Sequence, residues 1–186
     1  MIIGCLGWGS LIWRPKGLPI RRYWFNDGPF LPIEFARQSK DDRITLVVIA
    51  RNSFPLVRSL WAVMSLTDLD QAREALRQRE GISKEKIDNH IGTWRNNQAN
   101  AEDEIHSRIG AWAKQVGIDA VIWTNLPPKF GENDNQIPTP EEVVLHLSKL
   151  EGTRLDNAMQ YIRMTPRQID TDYRQYIESK LNWLPY

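Results

Sequence analysis

Apolar positions along the chain fall into two patterns. Short runs rich in β-branched and aromatic residues, bounded by turn formers, cover residues 1–8, 32–38, 44–50, 60–66 and 120–124, and each predicts a strand. In "IEFARQ" strict alternation sets Ile33, Phe35 and Arg37 on one face and Glu34, Ala36 and Gln38 on the other. "ITLVVIA" is almost wholly apolar, as suits a central strand covered on both sides. Elsewhere the period lengthens to that of a helix. Residues 68–79 have an acidic first turn, Leu69 and Leu76 on one side, and Gly81 as a stop. Residues 101–116 space Ile105, Ile109 and Trp112 by four and three. In "TPEEVV" Thr139 is a cap and Pro140 fits a first helical position, opening a helix that runs to Gly152 with Val143, Val144, Leu147 and Leu150 inward. Pro166 divides the remainder into helices at 153–163 and 166–180.

Strands come mostly first and helices after them. That order predicts an α+β fold rather than a doubly wound parallel sheet. The irregular places are the connection 67–92 and the segment 129–138, "KFGENDNQIP", a flexible loop that is either ordinary surface or a lid over a site. No repeat or low-complexity tract interrupts the pattern, and 186 residues suit one domain with a single core.

Composition narrows the function. There are 24 Lys and Arg against 23 Asp and Glu, so the chain lacks the basic excess of a protein built around nucleic-acid phosphate. Arg-rich segments such as "RRYWF" and "RNSFPLVR" are the only features that favour nucleic acid. A single cysteine, Cys5, leaves no intramolecular disulfide and points to a reducing, cytoplasmic setting. The apolar N-terminus has no basic region before it, and Gly7, Gly9 and Pro15 break it well short of a membrane span. His90, His106 and His146 lie far apart with no carboxylate at ligand spacing, so no metal site is expected. Eight tryptophans either pack the core or, in part, line a pocket for an organic ligand.

"GCLGWGSLIW" invites three readings. Gly4, Gly7 and Gly9 reverse the order of a dinucleotide fingerprint, and Pro15, Gly17 and Pro19 forbid the helix that should follow. No phosphate loop is present, and Ser10 does not sit in a nucleophile elbow. A strand followed by a tight turn remains. Gly9 there either just permits the turn or lets backbone N–H groups face a carboxylate or oxyanion.

These residues resemble the γ-glutamylcyclotransferase-like proteins. The family's first strand ends in Tyr-Gly-Ser followed by Leu or Asn; this chain has Trp8-Gly9-Ser10-Leu11, continued by "IWRP" as in the glutathione-degrading branch. Its Leu-x-x-x-Glu-Gly signature is similar to Leu76-Arg77-Gln78-Arg79-Glu80-Gly81, and the Thr-Asn closing its last strand is similar to Thr124-Asn125. The likeness spans residues 1–82 and 119–180, with two departures: Trp8 replaces the usual tyrosine, and residues 88–118 read as helix where the family continues with strand.

The resemblance implies a small mixed β-barrel or sheet with surrounding helices and release of 5-oxoproline from a small γ-glutamyl amine or peptide. Glu80 takes the acid and base role, and the turn at Trp8, Gly9, Ser10 and Leu11 binds substrate, with Thr124 and Asn125 beside it. No cofactor is required. Glu34 is the competing carboxylate: it either points outward or faces the pocket. Arg37, Arg51 and Arg58 either bind a substrate carboxylate or are ordinary surface arginines. The alternative to an enzyme is a ligand-binding or interaction module on the same fold.

Overall fold

The computed structural model describes residues 1–21, 23–50 and 54–186; Arg51, one of the arginines considered above, lies outside them. In chain order the strands are β1 (Ile3–Gly7), β2 (Phe30–Leu31), β3 (Ile33–Gln38), β4 (Ile44–Val48), β5 (Val57–Arg58), β6 (Leu60–Val63), β7 (Ile91–Arg95), β8 (Ala120–Thr124), β9 (Lys129–Phe130) and β10 (Asn133–Asp134). The helices are α1 (Leu69–Glu80), α2 (Ile87–His90), α3 (Glu104–Val116), α4 (Pro140–Leu147), α5 (Gly152–Met164) and α6 (Asp172–Leu181). This is the α+β class expected from the order of elements. Two compact units emerge: one comprises Met1–Gly7, Arg14–Leu31 and Arg58–Leu126, the other Trp8–Trp13, Pro32–Val57 and Pro127–Tyr186.

The first unit is built on an open sheet of order β6-β1-β8-β7. β1 runs antiparallel to β6, with Leu6 opposite Trp61, and parallel to β8, with Cys5 opposite Ile122. All five β1 residues are buried. β7 corrects the helical reading of 88–118, where only α3 is a long helix. "IGTWR" pairs antiparallel with β8 because Gly92 sits opposite Trp123, and a Cβ there would overlap the indole. α1 starts at its Asp68 cap, which accepts the Gln71 N–H at 2.9 Å. It stops at Gly81, whose φ of 66° is left-handed. There the N–H groups of Gly81 and Ile82 close onto the carbonyls of Gln78 and Arg77. That double closure is a Schellman stop, and it fixes where Glu80 leaves the helix.

The second unit carries a sheet of order β10-β9-β3-β4. The β3–β4 register shifts between Phe35 and Arg37, so Ala36 is an extra residue. This bulge breaks the expected two-face alternation, and Phe35 and Ala36 are both fully buried. The segment 129–138, expected as a flexible loop, contains the β9–β10 hairpin, with Gly131 at φ 60° in its turn. α4 opens on a complete capping box between Thr139 and Glu142 and ends at Leu147, short of the expected Gly152, which instead begins α5. α6 begins at Asp172, not at Pro166, because Thr171 caps it and the residues after Pro166 form a turn closed by Ile169 N–H on the Pro166 carbonyl at 2.9 Å.

Candidate active site

Glu80 is a carboxylate at the end of a helix, where the macrodipole disfavours an anion. Its neighbours offset that. Arg79 Nη1 donates to Glu80 Oε1 at 2.7 Å, and Thr124 Oγ1, at the end of β8, donates to the same oxygen at 3.2 Å. The Arg79 guanidinium is held in turn by the Arg14 carbonyl at 2.8 Å. Both side chains are largely covered, 7% exposed for Arg79 and 17% for Glu80. A cavity of ≈ 430 Å³ opens beside them within the same unit, lined by Lys16, Leu18, Gln78, Arg79, Glu80 and Gly81. That volume falls within the range of small-molecule sites, about 300–1,000 Å³. Its far wall starts in a turn with Lys16 and Gly17 both at positive φ, closed by Leu18 N–H on the Pro15 carbonyl at 3.0 Å.

Cys5 belongs to the same unit. Burial, with the Glu80 charge second, pushes its thiol well up, so it is no ready nucleophile. Asn125 follows Thr124, with its side-chain amide on the Asn89 carbonyl at 3.3 Å and its N–H on the His90 carbonyl at 2.8 Å. Arg79 is the participant that sequence reasoning passed over. Its signal was its place next to Glu80 in the same motif.

In the second unit, Trp8 leads into a turn from Gly9 to Ile12, closed by Ile12 N–H on the Gly9 carbonyl at 3.0 Å. Trp8 buries its ring and donates its indole N–H to the Leu46 carbonyl at 3.3 Å, and Leu11 is buried as well. A Cβ at Gly9 would overlap the Tyr161 hydroxyl, so the close approach that requires glycine here is made by a side chain of α5. Ser10 is partly exposed.

Glu34 does not point outward. It is 1% exposed, with Oε1 accepting from Phe35 N–H and Thr171 Oγ1 and Oε2 accepting from Tyr173 N–H. It holds the N-terminus of α6. Burial outweighs those donors and raises its carboxyl to about 7. Arg37 donates to the Pro127 carbonyl at 2.6 Å and is half-buried, and burial lowers its pKa. Arg58 lies over the Phe30 ring at 4.4 Å. Of the eight tryptophans, Trp8, Trp61, Trp94, Trp123 and Trp183 are buried, the core-packing alternative. Among the described residues, no three His, Cys, Asp or Glu side chains are grouped to hold a metal ion, and no helix is long and apolar enough to cross a membrane.

The backbone as a whole matches a crystal structure of a yeast γ-glutamyl cyclotransferase specific to glutathione, at a TM-score of 0.55 and 12% identity over 98% of both chains. The chain has the γ-glutamylcyclotransferase fold. A selenomethionine-labelled crystal structure of a glutathione-specific yeast cyclotransferase gives a TM-score of 0.49 at 17% identity, over 98% of this chain and 97% of that one. No family model and no curated protein matches the sequence. On this cyclotransferase fold the sheets are open, with no closed barrel among the described residues. Glu80 and Thr124 come together as one hydrogen-bonded pair, while Glu34 and Arg37 serve contacts of their own in the second unit.

Proposed function

We propose that the protein is a γ-glutamylcyclotransferase-type enzyme that cyclises the γ-glutamyl group of a small amine or peptide, with Glu80 as general acid and base. The observation that carries this reading is the Glu80 carboxylate itself. It is mostly shielded from water, fixed at a helix stop and oriented by Arg79 and Thr124, and its residue lines a ligand-sized cavity. The γ-glutamylcyclotransferase fold adds to it.

In the reaction the substrate's α-amine nitrogen attacks its own γ-carbonyl carbon. A new C–N bond closes the five-membered lactam, and the original amide C–N bond breaks. One proton leaves the attacking amine and one reaches the departing nitrogen, so a single carboxylate can carry it across. Because the substrate supplies its own nucleophile, the chemistry calls for no cofactor. Thr124 and Arg79 hold Oε1, and the Trp8–Leu11 turn, in the second unit, is read as an element that binds a carboxylate through its backbone N–H groups.

A glutathione-type γ-glutamyl peptide is the first substrate to try, in the reducing cytoplasm where Cys5 remains a thiol. The test incubates the protein with glutathione and a panel of γ-glutamyl amines and amino acids, and measures 5-oxoproline. Glu80→Gln should lower kcat by about 10²–10⁴-fold, the usual worth of a positioned acid and base. Product that persists in Glu80→Gln removes Glu80 from the mechanism. No product from any γ-glutamyl compound would leave a binding module on this fold.

A further inference from the structure

We propose that Tyr161 is a positioning residue whose hydroxyl clamps the turn after β1 onto β4, and that this clamp is the reason position 9 is glycine. The inference rests on the reading of that turn as a substrate-binding element. β4 is the end strand of its sheet. An end strand presents backbone groups that need partners from outside the ladder. At Leu46 both are taken by side chains: the N–H is donated to the Tyr161 hydroxyl oxygen at 3.3 Å, and the carbonyl accepts the Trp8 indole N–H at 3.3 Å. One residue of β4 thus fastens Trp8, which leads into the turn, and the third helical turn of α5.

The phenol has little freedom to move. Its ring is 6% exposed, edge-on to Trp13 at 5.5 Å and to Phe35 at 6.4 Å, with the Arg43 guanidinium over it at 5.5 Å. Aromatic and cation–π contacts of this kind hold a ring in one rotamer. The hydroxyl so placed fills the space that a Cβ at Gly9 would take, and the ring carbon Cζ would be 3.3 Å from that Cβ. Any side chain at position 9 must therefore displace either the phenol or the turn. The backbone of Gly9 to Leu11 keeps its place only while both stay put.

A double-mutant cycle tests the clamp, using wild type, Gly9→Ala, Tyr161→Phe and the combination. Overpacking in Gly9→Ala should lower Tm by about 5 °C. Tyr161→Phe deletes the oxygen and leaves the ring. Adding Gly9→Ala to it should then cost under about 2 °C, because the remaining contact needs a shift of only a few tenths of an ångström. On a turning-over enzyme, Tyr161→Phe should raise KM about tenfold with kcat nearly unchanged, the mark of lost binding rather than lost chemistry.

Equal Tm losses from Gly9→Ala in both backgrounds would overturn the clamp. So would an unchanged KM in Tyr161→Phe. If Gly9→Ala fails to fold, folding of the double variant is the rescue, and failure of both is a refutation. A wild type that makes no 5-oxoproline sinks the cyclotransferase reading alone, and the clamp then stands or falls on the Tm cycle.

Discussion

Replacing Glu34 by glutamine should reshape how stability depends on pH. The carboxyl is 1% exposed at the N-terminus of α6, where two backbone N–H groups and the Thr171 hydroxyl favour the charged form. Burial opposes them and wins, raising the group from 4.5 to about 7. Below pH 4.5 both folded and unfolded chains hold the proton and the shift contributes nothing. Between those two values the folded protein keeps a proton that the unfolded chain has lost, so stability falls as pH rises and levels off above about 7. A difference of about 2.5 pKa units corresponds to about 3 kcal/mol across the window, with a slope approaching about 1.4 kcal/mol per pH unit.

Glutamine cannot ionise, so Glu34→Gln removes that slope. Its amide NH₂ also faces a backbone N–H that Glu34 now satisfies, at a cost of about 1 kcal/mol. The variant should thus be about as stable as wild type near pH 5 and about 2 kcal/mol more stable near pH 8. Urea titrations followed by tryptophan fluorescence from pH 5 to 8.5 measure both, and comparing the two proteins cancels every other titrating group. Parallel curves would refute the raised carboxyl. A wild type that gains stability relative to the variant as pH rises would mean that the helix N-terminus, not burial, decides the ionisation.

Two further substitutions probe the first unit. Thr124→Val keeps the shape and loses the hydrogen bond to Glu80; kcat for 5-oxoproline release should fall about tenfold with little change in KM, and an unchanged kcat would deny Thr124 an orienting part. Gly92→Ala pushes a Cβ into the Trp123 indole across the β7–β8 pair and should cost about 2–3 kcal/mol, seen as a Tm loss of about 5–10 °C. A Tm within a degree of wild type would show that the strand pair yields easily.

Local signals in the chain determined most of the elements and the place of Glu80. Asp68, Thr139, Gly81 and Gly117 do their work within one helical turn, since a cap or a left-handed stop involves only neighbouring residues. The apolar runs of β1 and β8 were legible for the same reason, since near-complete burial needs no knowledge of what covers it, whereas the run of β4 suited a central strand and β4 is instead the end strand of its sheet. β7 carried a signal too, "IGTWR" between Asn and Asp clusters, but its strand state is decided by pairing with β8 over a glycine that admits Trp123.

Tertiary structure alone decided the rest. Whether Glu34 faces water depends on where α6 ends up, some 137 residues away, and alternation counts faces without saying which one is covered. The bulge at Ala36 then breaks the count itself. Gly9 looked like a turn former or an opening to ligand. The Tyr161 hydroxyl that a side chain there would have to displace comes from a helix whose sequence contains no hint of the encounter.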